Sequence, residues 1–428
     1  MASGRRLASE NLLQLGSRDG EGESALKVVA TFRPVSSVAS LGDEDTSRRL
    51  AMTKQGSFKR TVHRRACVTG QRYTQALADV EQINSSPFAR TRPFEPAELK
   101  NHLEARYGIH IASLAPIDDD PQTRPRGSWP GHYPSTLLVR REDGSPWIAR
   151  VFSSPADQVN RVHDDAEILQ FLAEHGFRAE RVAADDPVSM FEGSGVVVTE
   201  FVEGGRPTDS HGRGENPAVS HELAGLLGQL HALPGASGAV ARDGGAEETD
   251  GGFYVGRPRQ DLAAAMSFLV SVEDNVTPAG QEKLGWLRDQ VENADDAEGL
   301  PEALTHSNFH VWSAVGQPGN LVIVGWAGAG RGPRLPALAW LLRTAAEGST
   351  ENVAAVMRGY REHVPLTDEE LERLPGILNM RALWLACLEY RMAVESGRTP
   401  TMDEGWLRPG SAEHADRLAA QAIATLRS

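Results

Sequence analysis

Apolar residues recur along this chain with two periods, and the change from one to the other divides it. FEPAELKNHLEARYG, from residue 94, predicts a helix, and IHIASLAPI after it predicts a strand. HYPSTLLVRREDGSPWIARVF holds two β-rich runs around Glu142, Asp143, Gly144 and Ser145, which predicts a hairpin. DDAEILQFLAEHGF returns to helical spacing, with Ile168, Leu169, Phe171 and Leu172 as its apolar side. SGVVVTEFVEGGRP reads as a buried strand running into a turn. VSHELAGLLGQLHALP predicts a helix ended by Pro234, and the Gly-rich stretch 235–256 predicts a mobile loop. Beyond an apolar segment at 303–346, the runs TENVAAVMRGYREHV, DEELERLPGILNMRALWLACLEYRMAV and SAEHADRLAAQAIATL each predict a helix. The order is strand-rich first and helical afterwards, an α+β arrangement.

The first 93 residues have a different character. Residues 1–56 are rich in Ser, Gly, Asp and Arg without a sustained apolar period, and are expected to be disordered. Residues 57–93 read as a short basic helical module and linker, with helices at 58–69 and 72–83 broken at Gly70 and a Pro-bearing linker at 84–93. Arg60, His63, Arg64, Arg65 and Arg72 could touch phosphate or a partner; the other reading is a solvated basic face. Met52 directly precedes this module, so translation is expected to start there.

Charge sharpens the division. Residues 1–92 hold 15 Lys and Arg against 9 Asp and Glu, a net of +6, leaving −20 for the rest of a chain whose net charge is −14. An acidic body argues against a broad nucleic-acid footprint, which leaves the basic module as the only candidate contact. The 428 residues suffice for two or three domain-sized units. Cys67 and Cys387 are the only cysteines, which suggests neither a disulfide framework nor a zinc pattern and fits a reducing compartment. The N-terminus lacks the apolar core of a signal peptide, and no apolar run is long enough to span a membrane. A cytoplasmic location follows as the expectation.

One absence decides the chemistry. Residues 303–346 contain no Asp or Glu, although 58 acids in 428 residues would place about 6 in a window of that length. The segment runs through His306, Ser307 and Asn308, then Ser313, then the strand LVIV followed by Gly325 and Trp326, then Gly328, Gly330 and Gly332 and the apolar helix LPALAWLL. This frame resembles the active-site core of the aminoglycoside phosphotransferase (choline-kinase-like) family, which runs His-x-Asp, an Asn five residues on, and a strand ending in Asp-Trp before a Gly-rich turn. The stretches WIARVF, AEILQFLAEHGF, VVVTEFVEGGRP, LLGQLHALP and GAGRGPRL are similar to actinobacterial members of that family. The resemblance implies a bilobal protein-kinase-like fold over 94–428, with a β-rich lobe and hinge at 94–202 and a helical lobe at 203–428. It also implies that Asn308 stands at the catalytic Asp position, with His306 before it, and that Ser313 and Gly325 stand at the metal-ligand positions. An amide cannot take up a proton at neutral pH. A serine hydroxyl reaches less far than an amide, and glycine offers a metal nothing. Phosphoryl transfer needs a metal to neutralise the phosphates and a group to position the attacking hydroxyl, so this core reads as degenerate.

The resemblance also marks a nucleotide side. Arg150 falls where the family has a cation facing the ATP phosphates, and Glu167 where a helix acid pairs with it. An edge-strand Arg and a surface helix Glu are the other reading of the two. Thr199, Glu200, Phe201 and Val202 match the hinge whose backbone would read adenine. His231 reads as structural, while His310 and Trp312 either fill the cleft or pack.

Three functions compete. The first is a catalytically impaired phosphotransferase-like protein, or pseudokinase, that binds a small molecule or a protein partner. The second is an active ATP-dependent phosphotransferase with an atypical site. The third is a scaffold acting through the basic N-terminal module. The core favours the first. No cofactor is then expected; ATP and Mg²⁺ enter only if activity is retained, and nucleotide binding without metal would run through Arg150 and the hinge.

Overall fold

The computed structural model describes residues 96–117, 135–152, 159–207, 216–234, 256–346 and 349–427. The expectations for 1–56, the basic module and linker at 57–93, Met52 and the loop at 235–255 lie outside the described residues, all of which belong to one compact unit, Thr74–Ser428.

Helix α1 (Pro96–Tyr107) precedes a five-stranded antiparallel sheet built from β1 (Ile111–Pro116), β2 (Ser135–Arg141), β3 (Trp147–Phe152), β4 (Val188–Phe191) and β5 (Ser194–Glu200). Its order is β1-β2-β3-β5-β4. The sequence predicts the hairpin between β2 and β3, and the register pairs Val139 with Trp147. Period-two alternation sets the two faces. Trp147, Ala149, Val151, Val196 and Val198 form one core with Leu99 and Leu103 of α1. On the other face Val197 packs under Val162 and Ala166 of α2 (Val159–Glu174). Arg150 pairs across strands with Val197 and Ile148 with Thr199, so Arg150 and Thr199 share the α2 face.

The helical part comprises α3 (Pro217–Ala232), α4 (Pro258–Val272), α5 (Gln281–Glu292), α6 (Leu335–Ala346), α7 (Thr350–Arg361), α8 (Asp368–Ile377), α9 (Met380–Glu395) and α10 (Ser411–Arg427). Short strands β6 (Glu302–Thr305) and β9 (Gly330–Pro333) pair with each other, as do β7 (Ala314–Val315) and β8 (Val322–Ile323). Helices α4 and α5 occupy a stretch to which the sequence reading assigns no element. The continuous helix expected over 368–394 is two helices, separated at Leu378 and Asn379. Asn379 accepts from Arg343 and donates to the Ser411 carbonyl, so tertiary partners fix the break. Pro375 also lacks the donor that would tie this segment to the preceding turn.

Helices α3 and α7 approach backbone to backbone through glycine. A β-carbon built on Gly359 would lie 2.2 Å from the His221 carbonyl oxygen. Gly→Ala inside a helix ordinarily gains about 1 kcal/mol. Here the clash reverses the sign, because overpacking against backbone costs about 1–3 kcal/mol or more. Gly359→Ala is therefore expected to lower the urea midpoint; an unchanged or raised midpoint would contradict this packing.

Candidate functional site

The site is assembled by a stretch of extended chain after α2. Ala179 bridges in parallel to Ile323 of β8, and Val182 bridges antiparallel to Thr199 of β5. The Glu180 N–H donates to the Ile323 carbonyl at 3.0 Å, and the Ile323 N–H donates to the Arg178 carbonyl at 2.9 Å. Residues 178–182 thus join the five-stranded sheet to the β7–β8 hairpin, and they carry Glu180 between them.

Glu180 is the hub. Its side chain is 1% exposed, and Arg150 pairs with its Oε2 at 2.8 Å. The Thr199 hydroxyl donates to the same oxygen at 3.0 Å, and the Gly325 N–H donates to Oε1 at 2.7 Å. Arg150 also donates to the Thr199 hydroxyl oxygen at 3.2 Å. Arg150 and Gly325 therefore meet on one buried carboxylate. This corrects the pairing expected for Arg150: its partner is Glu180, whereas Glu167 is an exposed residue of α2. The buried acid of that helix is Asp165, whose carboxylate accepts from the Gly328 N–H at 3.2 Å. Helical spacing explains the exchange. Asp165 lies three residues before Ile168 and four before Leu169, on the buried stripe, and Glu167 points away from it. Two carboxylates of the β-rich part thus hold backbone donors of the turn 325–328. Gly325 sits at φ +83°, a left-handed conformation that glycine adopts freely.

Below this turn, His306 is fully enclosed. Its Nδ1 accepts from the Asn308 N–H at 3.0 Å, which leaves the proton on Nε2, facing the Val324 carbonyl at 3.3 Å. Burial is the main cause that lowers its pKa to about 4; Arg381 lowers it further, while the Val324 carbonyl opposes. His306 is therefore a neutral brace and no proton donor at neutral pH. Its ring meets Trp326 edge-on at 4.8 Å, and the Trp326 indole donates to the Ile323 carbonyl at 3.0 Å. Asn308 is half-buried, and its Oδ1 has no hydrogen-bond partner. The Ser313 hydroxyl donates to the Asn308 backbone carbonyl, closing the loop on itself.

His310 and Trp312 divide the two roles open to them. His310 is buried and accepts the Trp312 N–H on Nδ1 at 2.9 Å. Burial, then Arg381, His306 and Arg206, push its pKa well below the usual histidine value. Trp312 is partly exposed, with the Arg206 guanidinium 5.5 Å from its ring centre. Arg206 also donates to the Trp312 carbonyl. Arg381 of α9 anchors the same loop, donating to the Ser307 carbonyl at 2.8 Å and lying 4.9 Å over the Trp340 ring. A cavity of about 10 Å³ beside Thr305, His306, Ser307 and Arg381 is the size of one water, far below the several hundred Å³ of a small-molecule site.

The hinge positions separate. Thr199 is fully buried and turned to Arg150 and Glu180, whereas Glu200 is exposed. Phe201 and Val202 are partly exposed, and the Phe201 N–H donates to the Pro146 carbonyl at 3.1 Å. His231 is buried on α3, with its Nδ1 2.8 Å from the Tyr360 hydroxyl.

These side chains do not fit a magnesium ion. Mg²⁺ takes hard oxygen ligands including one or two carboxylates. Position 325 has no side chain, the Ser313 hydroxyl is committed to a carbonyl, and Asn308 offers one neutral oxygen. Glu180 and Asp165 are held by backbone N–H groups. Among the described residues, no group of three or more His, Cys, Asp or Glu side chains could hold a metal ion. Among the same residues, no helix is long and apolar enough to cross a membrane.

A comparison with curated proteins returns no match. Among solved structures, an amicoumacin kinase, hAmiN, in complex with AMP-PNP, Ca²⁺ and Ami, is 14% identical, with 77% of this chain and 93% of that one covered and a TM-score of 0.49. Macrolide 2'-phosphotransferase MphH from Brachybacterium faecium is 18% identical, with 76% and 97% covered and a TM-score of 0.45. Aminoglycoside phosphotransferase APH(3'')-Id from Streptomyces rimosus, in complex with ADP and streptomycin, is 18% identical, with 68% and 99% covered and a TM-score of 0.45. The phosphotransferase enzyme family matches residues 129–374, more than half of the 428-residue chain. That match runs from the sheet through the His306 loop and the glycine turn into α8, and the chain belongs to the phosphotransferase enzyme family.

Proposed function

We propose that this chain is a phosphotransferase-family protein with an impaired catalytic centre, acting as a binding or regulatory module for a small molecule or a protein partner. One observation carries the reading. The turn that begins at Gly325 presents backbone N–H groups to Glu180 and Asp165, where the resemblance implies a metal-binding side chain. Asn308 cannot act as a base, and losing a general base alone costs about 10²–10⁴ in rate. Purified full-length chain is expected to give no ATP turnover above buffer in Mg²⁺, with or without aminoglycoside or macrolide acceptors. ATP consumption that chelator abolishes would sink the reading in favour of an active enzyme with an atypical site.

Restoring the three side chains tests the cause. In the variant carrying Asn308→Asp, Ser313→Asn and Gly325→Asp, the new carboxylate at 325 has room, since a β-carbon there meets nothing within 4 Å. The left-handed φ of +83° will cost on the order of 1 kcal/mol for Asp, which tolerates this region better than most L-residues. The variant is expected to melt earlier than the parent, then gain about 2.7 kcal/mol at Mg²⁺–ATP a hundredfold above its dissociation constant. The parent should show no such gain. A folded variant without a Mg²⁺-dependent thermal shift would mean that these positions are not the cause.

A further inference from the structure

The last helix, α10, has two unlike sides. Ala415, Leu418, Ala419 and Ala422 are buried and pack it on the helical core. Gln421 donates to the Thr350 carbonyl at 3.0 Å, and Arg361 of α7 donates to the Leu426 carbonyl at 3.4 Å, so the helix is tied down to its last turn. Outside that contact, Glu413, Asp416, Ala420, Ile423 and Arg427 recur at alternating spacings of three and four residues, the repeat of a helix–helix seam. Ala420, Ile423, Ala424 and Arg427 line an open groove along it. Both acids, Ala420 and Arg427 are exposed, and Ile423 is half-buried. Among the described residues, Glu413, Asp416 and Arg427 have no ion-pair partner.

We propose that this face of α10 is a self-association surface, and that its occupant is a second copy of this chain, paired antiparallel about Ala420. Charge order carries the choice of partner. The seam is acidic at its start, apolar in its middle and basic at its end, so a parallel pairing would set like charge on like at both ends. A two-fold axis at Ala420 sets Glu413 opposite the second copy's Arg427, both being seven residues from the centre, with Asp416 one helical step away on the same side. The symmetry repeats the contact at the other end. Ala420 and Ala424 let the backbones approach, and Ile423 of each copy fills the space beside them. Arg417 flanks the seam and lays its aliphatic stem along the second copy's Ile423. A seam from 413 to 427 is about 22 Å long. One helix pair of that length falls below the roughly 1,200–2,000 Å² of a standard interface, so the dimer is weak, half-formed at about 10–100 µM chain. The proposal does not rest on the state of the catalytic centre.

Full-length parent would be followed by sedimentation velocity from about 1 to about 300 µM chain, a range that brackets a weak interface of this size. It is expected to pass from monomer to dimer, and to associate about tenfold less tightly in high salt than in low, because exposed charges are screened. Arg427→Glu alone, and Glu413→Arg with Asp416→Arg alone, should stay monomeric, since each sets like charges together at both ends of the seam. An equimolar mixture of these two variants should dimerise at least about tenfold more tightly than either by itself. Ala420→Lys, which puts a charge on the axis against its own copy, should also stay monomeric. A parent that remains monomeric at the highest concentration would overturn the proposal and leave the groove to a different protein. A dimer that survives Arg427→Glu, or a mixture that does not associate, would overturn it as well. So would variants that melt far below the parent, because changes on a free surface ordinarily stay within about 0.5 kcal/mol.

Discussion

Lowering the pH from 7 to 5 is expected to remove on the order of 4 kcal/mol of folding stability, through two histidines that the fold buries in neutral form. Burial lowers the pKa of His306 to about 4 and that of His231 to about 3; Arg381 near the first and Arg334 near the second act in the same direction. Above the unfolded-state value of about 6.5, neither state carries the proton and neither histidine contributes to pH dependence. Below it, the unfolded chain takes up protons that the folded chain refuses. Each histidine then costs about 2 kcal/mol by pH 5, and the loss continues until the folded pKa is reached. His310 is shifted the same way and adds to the effect. Ion-paired carboxylates act in a lower window. Asp295, held below its usual value chiefly by Arg373, loses its contribution only as pH falls through its own folded pKa. Urea unfolding at pH 7, 6 and 5 should therefore show a falling midpoint well before the carboxylates titrate. A flat profile between pH 7 and 5 would mean that these imidazoles reach water.

Glu180→Leu should cost about 3–5 kcal/mol, because it leaves the Arg150 guanidinium buried without its counter-charge. The Gly325 N–H and the Thr199 hydroxyl lose their acceptor in the same step. Arg150→Met with Glu180→Leu removes both charges and fills the space with apolar atoms. Such replacements of buried pairs are often neutral or stabilising, so the double variant should recover most of the loss. The comparison separates an ion pair that holds the sheet on the hairpin from one that merely accompanies them. Additive losses, with the double variant worse than either single change, would show that Arg150 and Glu180 do not act as a pair. The measurement is a double-mutant cycle from denaturant midpoints at pH 7.

Much of the fold was legible because local pattern and tertiary use agree. The β2–β3 hairpin has alternating apolar runs around an Asp-Gly turn, and α2 has its apolar stripe at 168, 169 and 172. The break at Leu378 and Asn379 was not legible, since Arg343 and Ser411 fix it from outside the helix. The site was legible in its gaps. The lack of Asp and Glu over 303–346 is a property of sequence, and the family resemblance is what marks Asn308, Ser313 and Gly325 within that stretch. Asp165 was available in principle, as an acid at i−3 and i−4 from the buried isoleucine and leucine of its helix.

What the sequence determined by itself was the strand-rich then helical order, the family frame around His306 and Trp326, and the absence of any acid between 303 and 346. What only the tertiary structure decided was which acid answers Arg150. Glu180 follows the buried Ala179 in a short extended stretch, where alternation would turn it outward. It is buried because three donors from β3, β5 and the turn after β8 meet at that point. One of them is a backbone N–H, a donor every residue but proline carries and no sequence pattern marks. A buried charge is tolerated only where such partners converge, and convergence is a property of the folded chain.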